Sequence, residues 1–326
     1  MVIDLFVDPR NKCILQKDSN GDLFYNSLNV THIYKAYDGI IDFVQDSGEL
    51  RKEREYYDNI YSIGQSGELT TEFIKEYWYI DIYPWRKTLL DSLGEIRGKK
   101  ILLVGNGDSH KEFYFLTLGA SVVVTDLSLE CVKLMQKKFA ASNLYEAYKE
   151  KIEFHAMDAL NLPFQDGEFD VIYGSAFVHH VEDINSFLLE VYRCLKKGGI
   201  CRFIDEADSP LWRGLKGTIF YPFKLYSHWR QPRSPADLVA ESRGGYTYKD
   251  LNSIIERCGF HDLLFLREWF FLRIITRHYG KLTNYSQKAM RRANKLFLAM
   301  KWLDENISHI NYFQRNQLML IWGCKK

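Results

Sequence analysis

The stretch KKILLVGNGDSH, residues 99–110, runs from an apolar segment directly into a turn that contains Gly105 and Gly107. The segment is short and continuously apolar, which is typical of a strand buried on both faces. Glycines allow backbone conformations and close approaches that a side chain would prevent. Such a turn begins both a nucleotide pocket and an ordinary strand-to-helix corner, so the surrounding sequence has to distinguish the two.

Strands and helices alternate from residue 97 onward. The predicted strands are KILLVG, ASVVVTDLS, KIEFHAMDA, FDVIYGSA, ICRFIDEA, DLLFLREWFF and NQLMLIWGC. The predicted helices are KEFYFLTLG, LECVKLMQKKFAASN, INSFLLEVYRCLKKGG, YKDLNSIIERCG and residues 285–304. Ser128 is expected to cap the second helix, and a glycine to close the third. This alternation predicts an α/β fold: a mostly parallel, seven-stranded sheet with helices on both faces.

Two other regions precede the alternating part. Residues 1–48 contain short apolar runs broken by DSNGD and DG, which predicts a small β-rich module with hairpin turns. Residues 49–96 have helical spacing and many acidic and aromatic residues. We therefore divide the chain into a module at 1–48 and a main domain at 49–326.

Composition restricts the class of protein. A formal net charge of +1, with 46% hydrophobic and 26% charged residues, is typical of a soluble globular chain and favours no nucleic-acid partner. The sequence has neither a signal-peptide pattern nor a long uncharged apolar run, so we expect a cytoplasmic protein without a transmembrane segment. Its six cysteines are scattered without a CxxC, which predicts neither disulfides nor a metal site.

Acidic residues end the two strands that follow the glycine turn. Asp126 closes VVVTD, 19 positions after Gly107, where a carboxylate can accept hydrogen bonds from ribose hydroxyls. Asp158 closes the next strand, where it can meet an exocyclic amine. These positions favour a nucleoside pocket over a plain corner. A nicotinamide pocket is disfavoured because the usual third glycine is absent.

These residues also carry a family resemblance. The run ILLVGNGDS … VVVTDLS … EFHAMDALNLPFQDGEFDVIYGSAFVHHVED … LLEVYRCLKKGGI resembles the class I S-adenosylmethionine-dependent methyltransferases, especially the small-molecule branch that includes quinone methyltransferases. The resemblance extends over residues 97–206. It implies a Rossmann-like fold, S-adenosylmethionine as cofactor, S-adenosylhomocysteine as product and a small-molecule acceptor.

The resemblance implies a cofactor-binding set at the strand ends. Gly105 and Gly107 would lie near the methionine portion, Asp126 would hold the ribose, and Ser175 would border the methyl donor. Leu127 would pack on the adenine, whose edge the Met157 backbone and Asp158 would read. The whole set is Gly105, Asn106, Gly107, Asp126, Leu127, Met157, Asp158, Ala159 and Ser175. Two positions depart from the family pattern, since Leu103 stands where an acid is usual and Ser109 where a third glycine is usual.

Candidate catalytic residues follow the fourth and fifth strands of the alternating part. His179 and His180 in SAFVHHVED could act as a general base; otherwise one of them caps or braces the helix that begins near Glu182. Asp205 could orient an acceptor, although acids there could also simply solvate a loop. We select His179, His180 and Asp205 as the catalytic candidates.

Candidate substrate-binding residues come from three segments. Tyr56 and Tyr57 lie in the helical region that often folds over the cofactor in this family, where an amphipathic helix packed on the sheet is the other reading. Glu206 follows the fifth strand. The insert at 209–247 mixes aromatic with basic residues, including Trp212, Tyr221 and Trp229, which suits an aromatic or amphipathic acceptor or a peripheral membrane contact. A homodimer is a further expectation, for which the N-terminal module at 1–48 is a candidate contact.

A fainter resemblance concerns the N-terminal module. The module is similar to the small zinc ribbons of some methyltransferases over the segment KCILQKDSNGDLFYNSLNVTHIYKAYDGIIDFV. Those ribbons use four zinc ligands, of which this segment retains only Cys13. We expect this module to hold no metal. The leading hypothesis is methyl transfer to oxygen or nitrogen of a small biosynthetic molecule; the alternatives are a quinone or lipid head-group methyltransferase and a non-catalytic scaffold or activator with the same fold.

Overall fold

The computed structural model describes residues 6–26, 31–45, 48–62, 85–109, 113–181, 183–206, 211, 247–268, 271, 287–307, 310 and 319–326. Within these ranges, one sheet of eleven strands has the order β1-β2-β3-β4-β7-β6-β5-β8-β9-β11-β10. The strands are β1 Gln16–Lys17, β2 Leu23–Asn26, β3 Thr31–Tyr37, β4 Ile40–Asp42, β5 Lys100–Leu103, β6 Ser121–Asp126, β7 Ile152–Ala156, β8 Phe169–Ser175, β9 Leu195–Glu206, β10 His261–Glu268 and β11 Met319–Lys325.

Eight α-helices occur in the described part of the chain. They are α1 Gly48–Ser62, α2 Trp85–Leu93, α3 Tyr114–Thr117, α4 Leu129–Ala140, α5 Tyr145–Tyr148, α6 Ile184–Cys194, α7 Tyr248–Arg257 and α8 Gln287–Ile307. No helix among the described residues is long and apolar enough to cross a bilayer. Ser128 caps α4 as predicted, since its side chain accepts a hydrogen bond from the Cys131 amide.

The predicted seven-stranded sheet is confirmed as the part β7-β6-β5-β8-β9-β11-β10. Strand β5 pairs in parallel with β6 and β8, and the outer pairs β6–β7 and β8–β9 are also parallel. Strand β11 lies between β9 and β10 and runs antiparallel to both. The strand order reverses between β5 and β8, which leaves a crevice at their carboxyl ends.

Helices cover both faces of this sheet, as the sequence predicted. Alternate side chains of β5 enter two different cores, Leu102 in one and Ile101 and Leu103 in the other. Helices α6 and α7 contribute to the first core, and α2, α3 and α4 to the second. Both faces of the central strands are therefore buried, which explains why Ile101, Leu102 and Leu103 are apolar at successive positions and not only at alternate ones.

The N-terminal strands extend the sheet at its β7 edge. Strands β3 and β4 form a hairpin whose two turn residues, Asp38 and Gly39, both have positive φ (50° and 84°), as a tight hairpin turn requires. Strand β4 pairs in parallel with β7, with Ile41 opposite His155. The expected hairpins are thus confirmed, whereas the division at residue 48 stays a prediction.

One predicted helix end was wrong. The segment LKKGG was expected to finish α6, but the helix ends at Cys194, and Leu195 already has extended φ and ψ (−74° and 139°). Leu195 is fully buried and pairs with Phe169 of β8. Burial of this leucine in the sheet outweighs the helical propensity of the lysines that follow it, so LKKGG begins β9.

Candidate active site

The candidate site lies where the parallel strands end. Strands β5 and β8 are neighbours, with Leu103 opposite Tyr173, and the segments that follow them leave the sheet at the same edge. The ends of β6, β7 and β9 lie along this edge as well. The topology therefore gathers five strand ends, and with them most of the predicted cofactor-binding and catalytic residues.

The glycine turn after β5 is bonded to the end of β6. The Asn106 amide donates to the Thr125 carbonyl (3.1 Å), and the Gly107 amide donates to Oδ2 of Asp126 (2.8 Å). The Asn106 side chain closes the turn by donating to the Ser109 carbonyl at 2.6 Å. Gly105 and Gly107 have φ of 58° and 56°, a region that favours glycine.

Asp126 combines burial with backbone donors. Its Oδ1 accepts from the Ser128 amide (3.0 Å), while its Oδ2 accepts from Gly107. Burial raises the pKa of Asp126 above its ordinary value, and the backbone donors oppose this by stabilising the anion. The Leu127 amide is a third backbone donor to this carboxylate. Because each carboxylate oxygen has about two lone-pair sites, at least one acceptor position remains for a ribose hydroxyl.

Gly105 also makes room for an aromatic ring that sequence reasoning missed. A Cβ at Gly105 would lie 2.3 Å from Cγ of Phe177, and one at Gly174 would lie 2.6 Å from Cε1 of the same ring. Ala176, with φ of 56°, turns the backbone just before Phe177. The glycine inside the strand FDVIYGS was the available signal, since a glycine within a strand often marks a close approach.

The remaining predicted cofactor residues follow β6, β7 and β8. Met157 is buried, and its amide donates to the Asp126 carbonyl at 2.9 Å, which joins the ends of β6 and β7. The Asp158 carboxylate accepts from the Leu160 amide and the Asn161 side chain, both at 2.9 Å, so it also closes its own turn. Leu127, Ala159 and Ser175 are half-buried. Their contacts with a cofactor stay predictions.

Helix α1 reaches two parts of the site with its tyrosines. Tyr57 stacks on Tyr61, with ring centroids 6.2 Å apart, and lies edge-on to His180 at 6.4 Å. The Tyr61 hydroxyl lies 3.3 Å from the place a Gly107 Cβ would occupy, and burial, then nearby charges including Asp126, raises the pKa of Tyr61. Tyr56 packs against Tyr57 at 5.2 Å. This placement supports the lid interpretation of the helix.

The three predicted catalytic residues lie together. Nδ1 of His179 is 2.6 Å from Oδ1 of Asp205, whose side chain is fully buried, whereas that of His179 is 25% exposed. The His179 and His180 rings are 4.0 Å apart. A buried carboxylate at Nδ1 favours the tautomer that carries its proton there, which makes Nε2 the basic atom. Such a pair can accept a proton from an acceptor.

Of the two alternative roles for the histidines, capping the next helix is wrong, whereas bracing it stays a prediction. The Asp183 side chain caps α6 by accepting from the Asn185 and Ser186 amides. Asp205 likewise lies inside β9 and not in a solvated loop. Leu103 stands where the family usually has an acidic residue. In the structure its side chain is fully buried and belongs to the second core.

Part of the predicted substrate site lies outside the described residues. This applies to Trp212, Tyr221 and Trp229 and to the rest of the insert from 212 to 246. Glu206 ends β9 opposite Met319, and its backbone alone is described.

Comparison with known sequences identifies the central part of the chain. Residues 102–203 match a family described as methyltransferase domain. A phosphoethanolamine N-methyltransferase of Triticum aestivum is 26% identical over 76% of this chain and 42% of its own length. A ubiquinone/menaquinone biosynthesis C-methyltransferase of Desulfotalea psychrophila is 27% identical over 50% of this chain and 62% of its own length. The chain thus spans about half the length of these curated relatives.

A solved structure agrees with the fold. Phosphoethanolamine N-methyltransferase 2 of Haemonchus contortus, in complex with phosphomonomethylethanolamine and S-adenosylhomocysteine, superposes with a TM-score of 0.50 at 16% identity. The superposition covers 88% of this chain and 62% of that protein. The predicted Rossmann-like fold of class I methyltransferases is therefore confirmed.

Proposed function

We propose that this chain, which contains a class I methyltransferase domain, binds S-adenosylmethionine and transfers its methyl group to a small-molecule acceptor. The observation that carries the proposal is the junction of Gly107 with Asp126, in which a half-buried carboxylate lies beside a glycine turn at the reversal of strand order. This junction combines a diol acceptor with a backbone that a ligand can approach closely.

The residues present fit the expected cofactor. Asp126 would hold the ribose hydroxyls with its remaining acceptor positions, and the backbone of Gly105 and Gly107 would face the methionine portion. Met157 and Asp158, with Leu127, would surround the adenine. Bound there, S-adenosylmethionine supplies an electrophilic methyl group; the chain has to align the acceptor and exclude water.

His179 would serve as the general base for an acceptor that loses a proton. Asp205 would hold its ring and stabilise the charge that develops on it, as a carboxylate does beside a catalytic histidine elsewhere. His180 and Tyr57 would border the same space, which their edge-on contact supports. A general base contributes a factor of about 10²–10⁴ where proton loss accompanies transfer. This arrangement favours oxygen or nitrogen as the methylated atom.

The acceptor itself belongs to the proposal. We favour a small biosynthetic molecule of aromatic or amphipathic character, contacted by Tyr56, Tyr57 and Glu206 and by Trp212, Tyr221 and Trp229 of the insert. The relatives named above include an N-methyltransferase and a quinone C-methyltransferase. A quinone or a lipid head group is therefore the second candidate. A cytoplasmic location and a homodimer stay predictions.

Calorimetry with S-adenosylmethionine and S-adenosylhomocysteine tests the proposal. We expect micromolar binding that Asp126→Ala weakens by at least about 1 kcal/mol, the loss typical of hydrogen bonds to a charged group. The control is Glu146→Ala, which removes a carboxylate that is 80% exposed and pairs with Lys149. Absence of binding by the wild-type protein would reject the enzyme and leave the scaffold alternative.

A panel of acceptors then separates the two candidates. It should contain phosphoethanolamine, simple phenols and amines, and a short-chain demethylquinone, with S-adenosylhomocysteine as the measured product. Turnover of the quinone alone would favour the second candidate over a small amine or phenol.

A further inference from the structure

Helix α1 carries an arginine that joins two carboxylates on different elements. Nη2 of Arg54 lies 2.6 Å from Oδ2 of Asp42, the last residue of β4, and its Nε lies 3.5 Å from Oδ2 of Asp58, one helical turn further on. The side chains of Arg54 and Asp42 are only 12% and 13% exposed. Their ion pair is therefore partly desolvated, unlike the ordinary surface pairs that contribute little.

Asp58 in turn binds the beginning of α4. Its Oδ1 accepts from the Ser128 hydroxyl (2.6 Å) and from the Glu130 amide (3.1 Å). Ser128 is the N-cap of α4, so a carboxylate from another helix satisfies a further amide of the first turn. A negative charge there also interacts favourably with the helix dipole.

This contact lies next to the proposed cofactor residues. The Ser128 amide donates to Asp126, so Asp58 and Asp126 bind different groups of the same serine. One turn beyond Asp58, Tyr61 approaches Gly107. The position of α1 over the glycine turn thus depends on a series of polar contacts from β4 to the end of β6.

We propose that Arg54 and Asp58 are positioning residues that latch α1 over the cofactor site, and that β4 anchors this latch through Asp42. The proposal rests on the proposed function and gives the N-terminal strands a role in it. Strand β4 pairs with β7, whose end lies at the site, so Asp42 is held in the sheet. The latch would keep Tyr57 and Tyr61 in place and slow the release of bound cofactor.

Release kinetics and amide exchange test the latch together. We expect Arg54→Met to raise the dissociation rate of S-adenosylhomocysteine about tenfold, as loss of a charge-assisted hydrogen bond allows, with a smaller change in association. Asp42→Asn should act similarly, and the double variant should add little, because both changes break one pair. Arg54→Lys should restore part of the effect.

Arg51→Met is the matched control. Arg51 pairs with Glu55 on the same helix at 2.8 Å, but both side chains are about 60% exposed (62% and 59%). This variant should release the ligand at the wild-type rate. A uniform effect of all α1 arginine variants would overturn the proposal, since it would indicate only general helix stability.

Hydrogen exchange of residues 50–62 separates this proposal from the proposed function. Arg54→Met should speed exchange there in the ligand-free protein, whether or not the cofactor binds, and Arg51→Met should not. Unchanged exchange overturns the latch. Faster exchange with unchanged ligand release also overturns it, because the latch would then have no bearing on the cofactor. A wild-type protein that does not bind the ligand refutes the proposed function, and the exchange data still decide whether the latch exists.

Discussion

Gly105→Ala should destabilise the protein through two separable effects. The first is backbone strain, since φ of 58° places the residue in the left-handed region. The second is overlap, because the new Cβ would lie 2.3 Å from Cγ, 2.4 Å from Cδ2 and 2.7 Å from Cβ of Phe177. Carbon atoms in contact ordinarily stay about 3.5–4.0 Å apart, so the Phe177 ring has to move.

The two effects have different magnitudes. A left-handed conformation costs a non-glycine residue about 1–2 kcal/mol. Overpacking of an interior site adds about 1–3 kcal/mol. Phe177 packs against Phe187 and Phe203, at centroid distances of 5.4 and 6.4 Å, which limits its retreat. We therefore expect Gly105→Ala to lower the free energy of unfolding by about 2–5 kcal/mol.

Urea unfolding measures this loss, and Gly94→Ala isolates its first part. Gly94 has φ of 64°, but no atom lies within 4 Å of the place its Cβ would take. Gly94→Ala should therefore cost only the backbone strain. The cost of Gly105→Ala should also shrink in a Phe177→Ala background, where the ring is gone. Equal losses for Gly94→Ala and Gly105→Ala would refute the packing argument.

Three further predictions concern catalysis, pH and thiol reactivity. Asp205→Asn should lower kcat by a factor of about 10² or more, with the cofactor Kd nearly unchanged, because the proposed base loses its orienting carboxylate; steady-state kinetics and calorimetry measure the two. Burial tends to raise the pKa of Glu190, but Arg193 and Lys12 outweigh it and hold that pKa below its ordinary value. The interaction of the Glu190 carboxylate with these two cations therefore stabilises the folded protein at pH values above the ordinary glutamate pKa of about 4.3, and this stabilisation disappears as the pH falls through the native pKa. In urea unfolding, Glu190→Gln should accordingly lower the free energy of unfolding less at acid pH than at pH 7. Cys13 is half-buried and the other five cysteines are buried, so a maleimide should label Cys13 first and the others only in denaturant, as peptide mass spectrometry would reveal.

The architecture was predictable because its signal is local. Continuous apolar runs for strands, helical spacing between them and turn residues such as Asp38 and Gly39 all follow from short segments of sequence. The end of α6 was not, because the lysines of LKKGG suit a helix and only the pairing of Leu195 with a distant strand overrides them. Tertiary burial, which the local pattern does not contain, decided that boundary.

Some residues of the candidate site could likewise be predicted from local sequence, whereas the contacts between them could not. Asp126 and the histidines could be selected because they follow strands, and parallel strands end at one edge. The pairing of His179 with Asp205 joins residues 26 positions apart, and the contact of Phe177 with Gly105 depends on the turn at Ala176. Arg54 and Asp58 gave no signal, since a charged residue on a helix is ordinarily solvated. Contacts between side chains of different elements follow from the three-dimensional arrangement and have no local signal in the sequence.

The place of β11 between β9 and β10 has a consequence for biosynthesis. Cys201 of β9 and Cys324 of β11 are neighbours although they are 123 positions apart in the sequence. Until β11 has been synthesised, the edge of β9 is open, and it includes Phe203, which is fully buried in the finished fold. Strand β10 likewise lacks the strand with which it pairs. Unpaired apolar edges of this kind promote aggregation during synthesis. The strands β9, β11 and β10 can pair only after residue 325 leaves the exit tunnel. Folding of this part of the sheet is therefore completed later than that of β5–β8.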